Sequence, residues 1–384
     1  MKKNNRIYLD HAATSPMEAE TIQVVMRTME TGFGNPSAMY MEGQQAMGEM
    51  QRARESIGKS LGVDYKTIFF TANGSEAANQ AIISAAYSGK KTGRTHLISS
   101  QIEHPCVLKT LEYLKEEGFT YTLLPVDSKG HVQLADLEEA FTPNTCLVSI
   151  MHTNNEIGSI QPISKIGQWC KEKKVLFHCD GTQAMNSSRL TILDDEMDYF
   201  TFSAHKIGGP RGVGILYKKK TAPLQSLIFG GMQERGRRAG TENVAEIVGA
   251  AFALERNMQE IDNQIQHKSE LDNRLMEGLL RISDVCVNAD DVNRAPGILN
   301  ISFLGINAKL LVLLLDAQGI AVSTGSACAS GSLELSYVLE ALGCTKENAQ
   351  GAIRISCGKE NTLEEMETVI LRVEEAIKQL RGNK

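Results

Sequence analysis

The chain has 384 residues, of which 42% are hydrophobic and 22% are charged, a mixture typical of a globular protein of about two domains. Its net charge of −6 excludes a general attraction to nucleic acid or to an anionic membrane surface. No apolar segment follows the charged N-terminus, and the most apolar run, Leu310–Leu315, is too short to span a bilayer. We therefore expect a cytoplasmic protein with neither a nucleic-acid nor a membrane partner.

The eight cysteines are scattered along the chain without a CxxC pair. Disulfide frameworks belong to small secreted domains, and structural zinc sites need clustered ligands. We therefore expect reduced thiols and no metal site.

Short apolar runs alternate with longer amphipathic segments between residues 65 and 217. The predicted strands are Thr67–Thr71, Thr95–Ser99, Cys146–Met151, Val175–Cys179, Tyr199–Ser203 and Val213–Tyr217. Helical patterns lie between several of them, at Glu76–Tyr87, Val107–Glu117 and Ile163–Lys173. Strand–helix alternation of this kind predicts an α/β fold with a mostly parallel sheet between two layers of helices.

A long polar helix pattern, Ala245–Ile282, interrupts this alternation and leaves the first domain near residue 254. It is followed by strand-like Gly297–Leu304, helix-like Leu310–Leu315, strand-like Gly351–Ser356 and a final amphipathic helix, Leu363–Leu380. We predict a large domain over residues 16–254 and a smaller α/β domain over residues 255–384. Residues 1–15 are expected to pack alongside the small domain.

Unusual polar residues follow the carboxyl ends of successive predicted strands. They are Ser75, His104, Asn154-Asn155, Asp180 and His205-Lys206. In open α/β sheets, ligands bind in the crevice beyond those strand ends. The repeated placement predicts a single site built from these side chains.

The segment 71–76 is a turn that leads from a strand into a helix, and its backbone N–H groups suit a phosphate. The chain lacks a Walker loop and a GxGxxG fingerprint.

Asp180 follows an apolar run, where a carboxylate needs a cationic partner such as the pyridinium nitrogen of pyridoxal 5'-phosphate (PLP). Lys206, in a loop of small residues, is a candidate for the lysine that binds this cofactor. Taken singly, Asp180 also suits a turn cap, His104 a structural histidine and Lys206 a solvated lysine.

Two further residues are candidates for contact with a substrate. Cys328 lies in a small, polar, glycine-containing stretch, where a thiol is accessible as a nucleophile requires. An incidental exposed cysteine is the alternative. Arg354 lies among apolar residues and suits either a substrate carboxylate or a structural salt bridge.

Seven motifs spread over nearly the whole chain resemble those of the NifS/IscS-type cysteine desulfurases. These enzymes are a branch of the class V aminotransferase-like, fold-type I PLP enzymes, with a large and a small domain. The motifs are Tyr8–Thr14, Gly34–Ser37, Glu103-His104, Asn154–Gly158, Ser203–Lys206, Arg237–Asn243 and Gly325–Cys328. Each motif alone is weak, whereas the set together is specific.

The resemblance implies a role for each candidate residue. Lys206 matches the lysine that binds PLP and moves the Cα proton, Asp180 the partner of the pyridine nitrogen, and His104 the histidine stacked on the ring. Gln183 and Asn155 match residues near the phenolic oxygen. The phosphate ligands are the turn at Gly74 and Ser75, then Ser203 and His205, with Thr241 contributed by the other subunit of a homodimer. Arg354, beside Asn155, matches the substrate-carboxylate anchor, and Cys328 the persulfide-forming nucleophile.

The implied reaction is conversion of L-cysteine to L-alanine, with the sulfur passed through Cys328 to an iron–sulfur scaffold or a thiolation enzyme. Three alternatives remain: a selenocysteine lyase, a class V aminotransferase, and a weakly active sulfur-relay subunit. Some positions depart from the family pattern. Gly181 stands in place of an alanine under the cofactor, His11 in place of an asparagine, and Asn186-Ser187 in place of Gly-Lys. The phosphate turn reads Ala-Asn-Gly-Ser rather than Ser-Gly-Ala-Thr.

Overall fold

The strands of the described residues belong to three sheets. The computed structural model describes residues 6–189, 191–324 and 335–382. Its strands are β1 (Ile7–Tyr8), β2 (Ile68–Thr71), β3 (His96–Ser100), β4 (Thr120–Leu124), β5 (Thr145–Ser149), β6 (Leu176–Asp180), β7 (Tyr199–Ser203), β8 (Gly214–Lys218), β9 (Val285–Val287), β10 (Ile298–Phe303), β11 (Ile320–Ala321) and β12 (Ala352–Ser356).

The main sheet has seven strands in the order β2-β8-β7-β6-β5-β3-β4. Strand β8 runs antiparallel to both of its neighbours, and the remaining pairs are parallel. All six predicted strands are present, five of them with ends shifted by one or two residues, and the prediction of a mostly parallel α/β sheet is confirmed. Strand β4 was not predicted, because its first four residues are exposed or half-buried and form no apolar run.

Helices cover both faces of this sheet. The helices of the described residues are α1 (Ala19–Thr31), α2 (Met41–Leu61), α3 (Gly74–Lys90), α4 (Pro105–Glu116), α5 (Leu134–Ala140), α6 (Ile163–Lys173), α7 (Gln233–Gly236), α8 (Val244–Leu279), α9 (Ala308–Ala317), α10 (Tyr337–Ala341), α11 (Lys346–Gln350) and α12 (Leu363–Gly382), of which α2, α3, α4, α6 and α8 pack on the sheet. Successive residues of a strand point to opposite faces of the sheet. In β7, Phe200 packs with α2, α6 and α8, whereas Tyr199 packs with α3 and α4. This alternation fixes the sheet between two apolar layers.

A second apolar core involves the end of helix α8 and the C-terminal elements. It contains Leu271 and Leu275 of α8 together with side chains of β10, β12 and α12. Leu9 lies in the same core, and strand β1 pairs parallel with β11. Because α8 is one continuous helix of 36 residues that contributes to both cores, the boundary between residues 254 and 255 stays a prediction.

Within residues 6–189, 191–324 and 335–382, no helix combines the length and apolar composition that crossing a bilayer requires. The seven cysteines among the described residues are free thiols. In that same part of the chain no group of three or more His, Cys, Asp or Glu side chains is arranged to bind a metal ion.

Candidate active site

The parallel strands bring three predicted residues to one edge of the sheet. Asp180 is the last residue of β6, His104 caps the N-terminus of α4 after β3, and Lys206 ends a short 3-10 helix after β7. Burial lowers the pKa of His104; the Asp180 carboxylate opposes that effect and the Lys206 amine adds to it. Asp180 and Lys206 therefore both lie within electrostatic range of His104.

The side chain of Lys206 ends against the N-terminal segment. Its Nζ donates to the carbonyl oxygens of Ala12 at 2.6 Å and Ala13 at 2.7 Å. Gln183 Nε2 also donates to the Ala12 oxygen, at 2.9 Å. Residues 10–15 are thus part of the site. Sequence reasoning assigned them no role, although the Tyr8–Thr14 motif was the available signal.

The main chain of Lys206 is held separately from its amine. Its carbonyl oxygen accepts from Asn186 Nδ2 at 2.6 Å and from Ser15 Oγ at 3.0 Å. Lys268 Nζ, on helix α8, donates to the Asn186 carbonyl oxygen at 2.9 Å. Asn186, at a position that departs from the family pattern, therefore positions the Lys206 backbone.

Asp180 caps a turn at the end of β6. Its Oδ1 accepts from the backbone N–H of Thr182 at 3.0 Å, and the residue is 8% exposed. Nearby Glu103 is completely buried, and burial raises the pKa of its carboxyl to about 8. Glu103 is therefore a neutral acid near neutral pH, held by Ser100 Oγ at 2.9 Å and the Met151 N–H at 2.8 Å. Sequence reasoning missed this group, which lies beside His104 in the motif.

The predicted phosphate turn is the N-terminus of helix α3. The Gly74 N–H donates to Ser203 Oγ at 2.7 Å, and Asn73 Oδ1 caps the helix by accepting from the Glu76 N–H at 2.9 Å. A Cβ on residue 74 would lie 2.6 Å from Ser203 Oγ, so this close approach requires glycine. Ser75 is exposed at the same helix end. Two hydroxyls and a helix N-terminus together suit a phosphate.

His205 contacts the N-terminal segment. Its Nδ1 is 3.0 Å from Thr14 Oγ1. Burial, with the positive charges of Lys206 and Arg211, lowers the pKa of His205 to about 4. The ring is therefore neutral near neutral pH and acts through hydrogen bonds rather than through charge.

The basic cluster at residues 235–238 binds the chain itself. Arg235 donates to the Ile68 carbonyl oxygen at 2.5 Å, and Arg237 to the Leu224 oxygen at 2.7 Å. Arg238 Nε pairs with Glu76 Oε1 at 2.9 Å, which ties this segment to the phosphate turn. Thr241 follows at an exposed position, where it lines a cleft with Arg238.

Arg354, on β12, is 1% exposed and forms a salt bridge. Its Nη2 lies 2.5 Å from Asp10 Oδ1, and its Nη1 donates to the Asn155 carbonyl oxygen at 2.9 Å. The structural salt bridge considered for this residue is thus present. Cys328 lies outside the described residues. Ser323, five positions before it, exchanges backbone hydrogen bonds with Arg354 at 2.7 and 3.1 Å.

The neighbouring strand β7 leaves no room for a side chain at Gly181. A Cβ on this residue would lie 1.9 Å from two ring carbons of Phe200. We expect Gly181→Ala to lower the free energy of unfolding by about 1–3 kcal/mol through overpacking. Phe200→Leu in the same chain should recover much of this loss in thermal unfolding. Gly48→Ala, whose Cβ meets nothing closer than 3.4 Å, is the control. An unchanged melting temperature for Gly181→Ala would contradict the steric explanation.

Comparison with known proteins places these features in a family. Residues 7–369 match the family described as "Aminotransferase class-V". The chain is 43% identical over 381 residues to cysteine desulfurase IscS of Clostridium botulinum (strain Hall), covering 98% of this chain and 96% of that protein. It is 40% identical over 380 residues to cysteine desulfurase IscS of Methanosarcina thermophila, covering 99% and 94%.

Solved structures agree with these relatives. A structure described as a NifS-like protein superposes with a TM-score of 0.92 and 37% identity, over 98% of this chain and all of that one. A NifS-like protein from Rickettsia africae gives a TM-score of 0.87 and 30% identity, over 97% and 99%. The resemblance noted in the sequence motifs is confirmed, and the chain belongs to the class V aminotransferase family, among the cysteine desulfurases of the IscS/NifS type.

Proposed function

We propose that this protein is a PLP-dependent cysteine desulfurase that converts L-cysteine to L-alanine and receives the sulfur on Cys328 as a persulfide. The observation that supports it most is the convergence of Lys206, Asp180 and His104 at one edge of the sheet, beside the hydroxyl-lined N-terminus of α3. The similarity to cysteine desulfurases over nearly the whole chain supports the same activity.

The donor set of the site fits PLP. Lys206 supplies the amine that binds the cofactor, and Asp180 supplies a carboxylate for its pyridine nitrogen. The remaining residues proposed to hold it are Gly74, Ser75, His104, Asn155, Gln183, Ser203 and His205. The requirement for glycine at position 74, against the Ser203 hydroxyl, supports a close backbone cradle for a phosphate. When bound, PLP supplies an electron sink for the charge that develops at the substrate Cα.

The protein groups around this position divide the proton transfers. The Lys206 amine leaves the carbonyl oxygens of Ala12 and Ala13 and moves the Cα proton. His104 has a lowered pKa, so its ring is neutral near neutral pH; because Nδ1 accepts from the Cys106 N–H at 3.2 Å, Nε2 carries the proton and is the group that faces the substrate thiol as a donor. Arg354 binds the substrate carboxylate, with Asn155 beside it.

Sulfur transfer needs a second thiol rather than an oxidant. The Cys328 thiolate attacks the substrate sulfur, the bond between that sulfur and Cβ breaks, and Cβ takes up a proton. L-Cysteine and the Cys328 thiol thus become L-alanine and a Cys328 persulfide, with atoms and electrons balanced. The persulfide then passes to an acceptor protein, an iron–sulfur scaffold or a thiolation enzyme.

A second copy of the chain is the other proposed partner. Large apolar side chains are exposed near the N-terminus and before the basic cluster, including Met39 at 91%, Phe229 at 85% and Met232 at 80%. Exposed apolar side chains of this size are typical of protein interfaces. Thr241, exposed in the same part of the chain as Phe229, is proposed to reach the phosphate held by the other subunit of a homodimer.

The test is product analysis of the wild-type protein loaded with PLP. With L-cysteine and a reductant, and with no 2-oxo acid added, we expect alanine and sulfide to form in equal amounts. Product formation that requires a 2-oxo acid would establish the aminotransferase alternative. Turnover of L-selenocysteine alone would establish the lyase. A PLP-loaded protein with no turnover of either amino acid would favour the sulfur-relay alternative.

A further inference from the structure

The guanidinium group proposed to bind the substrate carboxylate already holds a carboxylate of the protein. Arg354 Nη2 lies 2.5 Å from Asp10 Oδ1, in a pair whose side chains are 2% and 20% exposed. Asp10 thus offers Arg354 the same chemical group that an amino-acid substrate would offer. A buried cation left without such a partner is costly, so the pair stabilises the enzyme before substrate binds.

Strand pairing fixes Asp10 beside Arg354. Asp10 forms a parallel bridge with Ser356, two residues after Arg354 on β12. The Ser356 N–H donates to the Leu9 oxygen at 2.8 Å, and the His11 N–H to the Ser356 oxygen at 3.2 Å. The Asp10 carbonyl oxygen also accepts from the Tyr8 hydroxyl at 3.1 Å. Backbone pairing therefore places Asp10 beside Arg354, and the two side chains complete the contact.

Glu156 is another carboxyl group within electrostatic range of Arg354. Burial raises the pKa of Glu156, and its Oε2 accepts from Ser336 Oγ at 2.6 Å. Its side chain therefore has a different partner, whereas Asp10 contacts the guanidinium directly.

We propose that Asp10 is a specificity-determining residue whose carboxylate competes with the substrate carboxylate for Arg354. This proposal rests on the proposed function, in which Arg354 is the carboxylate anchor. The competition raises the KM for L-cysteine, because the substrate carboxylate has to displace the Asp10 carboxylate before it can pair with Arg354. A ligand with a free carboxylate can take the place of Asp10, because it carries the same charge as the Asp10 side chain.

The same segment couples this exchange to Lys206. Asp10 is two and three residues from Ala12 and Ala13, whose carbonyl oxygens hold Lys206 Nζ. Binding of the cofactor takes the Lys206 amine from these oxygens, and binding of substrate takes Arg354 from Asp10. One four-residue stretch therefore contacts both the reactive amine and the carboxylate anchor.

The test is Asp10→Asn, which keeps the size and the Oδ1 acceptor of the side chain but removes its charge. We expect the KM for L-cysteine to fall about tenfold, as loss of one charge-assisted competitor predicts, with the change in KM rather than in kcat. The inhibition constant of propionate, a carboxylate without thiol or amine, should fall in parallel. Asp10→Ser removes the same charge in a smaller side chain and repeats the test.

Two further variants separate the possible failures. Asp262→Asn removes one carboxylate from an exposed pair with Arg189 and controls for net charge, so its KM should match wild type. Arg354→Gln should raise KM and weaken propionate. An unchanged or raised KM in both Asp10 variants, with Arg354→Gln still impaired, would overturn the role of Asp10 and leave the proposed function standing. An Arg354→Gln enzyme with a normal KM for L-cysteine would show that Arg354 does not bind the substrate carboxylate.

Discussion

Replacing Lys206 with alanine is expected to abolish alanine formation from L-cysteine. The loss should reach at least about 10³-fold, because Lys206 both binds the cofactor and moves the Cα proton, and one positioned acid–base group alone contributes 10²–10⁴-fold. The amine that Ala12 and Ala13 hold at 2.6 and 2.7 Å is absent from the variant. We therefore also expect PLP to dissociate on gel filtration, which the visible absorbance of the eluted protein measures.

A matched control is Lys378→Ala, which removes an exposed lysine paired with Glu374 on helix α12. It should retain PLP and turnover. Added methylamine should restore part of the activity to Lys206→Ala but change nothing in the control. If Lys206→Ala kept its visible absorbance after gel filtration and turned over L-cysteine normally, another residue would be the cofactor lysine.

Replacing Cys328 with serine is expected to stop alanine and sulfide release from L-cysteine while PLP stays bound. A hydroxyl group at this position is a poor nucleophile toward sulfur, so the carbon–sulfur bond of the substrate should stay intact. The measurement is alanine and sulfide under reducing conditions, together with the visible absorbance of the protein. Retained absorbance separates this variant from Lys206→Ala.

Other cysteines of the chain provide the control for Cys328. Cys286 and Cys344 are half-buried free thiols in the C-terminal part of the molecule. Their serine variants should release alanine and sulfide as wild type does. Normal sulfide release by Cys328→Ser would disprove the persulfide assignment. The lyase or aminotransferase alternative would then take its place.

The regular elements were predictable because their signals are local. Apolar runs and helical periods reflect which faces of a segment are buried, and they matched α6 (Ile163–Lys173) and β7 (Tyr199–Ser203) residue for residue. The half-exposed strand β4 was missed, since its alternation of small polar and apolar residues gives no such run. The grouping of His104, Asp180 and Lys206 was also predictable, because parallel strands end at one edge of a sheet.

Partners distant in sequence were not predictable. Asp10 and Arg354 are 344 positions apart, and Lys206 reaches the Ala12 carbonyl across 194 positions. The collision that excludes alanine at position 181 depends on where the Phe200 ring packs. Motif resemblance identified the segments involved without assigning these contacts.

The sequence by itself determined the α/β class, the family and the residue types of the site, because periodicity, strand ends and motifs are properties of short segments. Only the tertiary structure decided that Asp10 occupies Arg354, that the N-terminal carbonyl oxygens hold Lys206, and that Asn186 positions its backbone. Those contacts arise where residues 10–15, β12 and the loop after β7 pack together. Backbone carbonyl groups carry no residue-type signal, and side-chain pairing depends on distances that the complete fold sets.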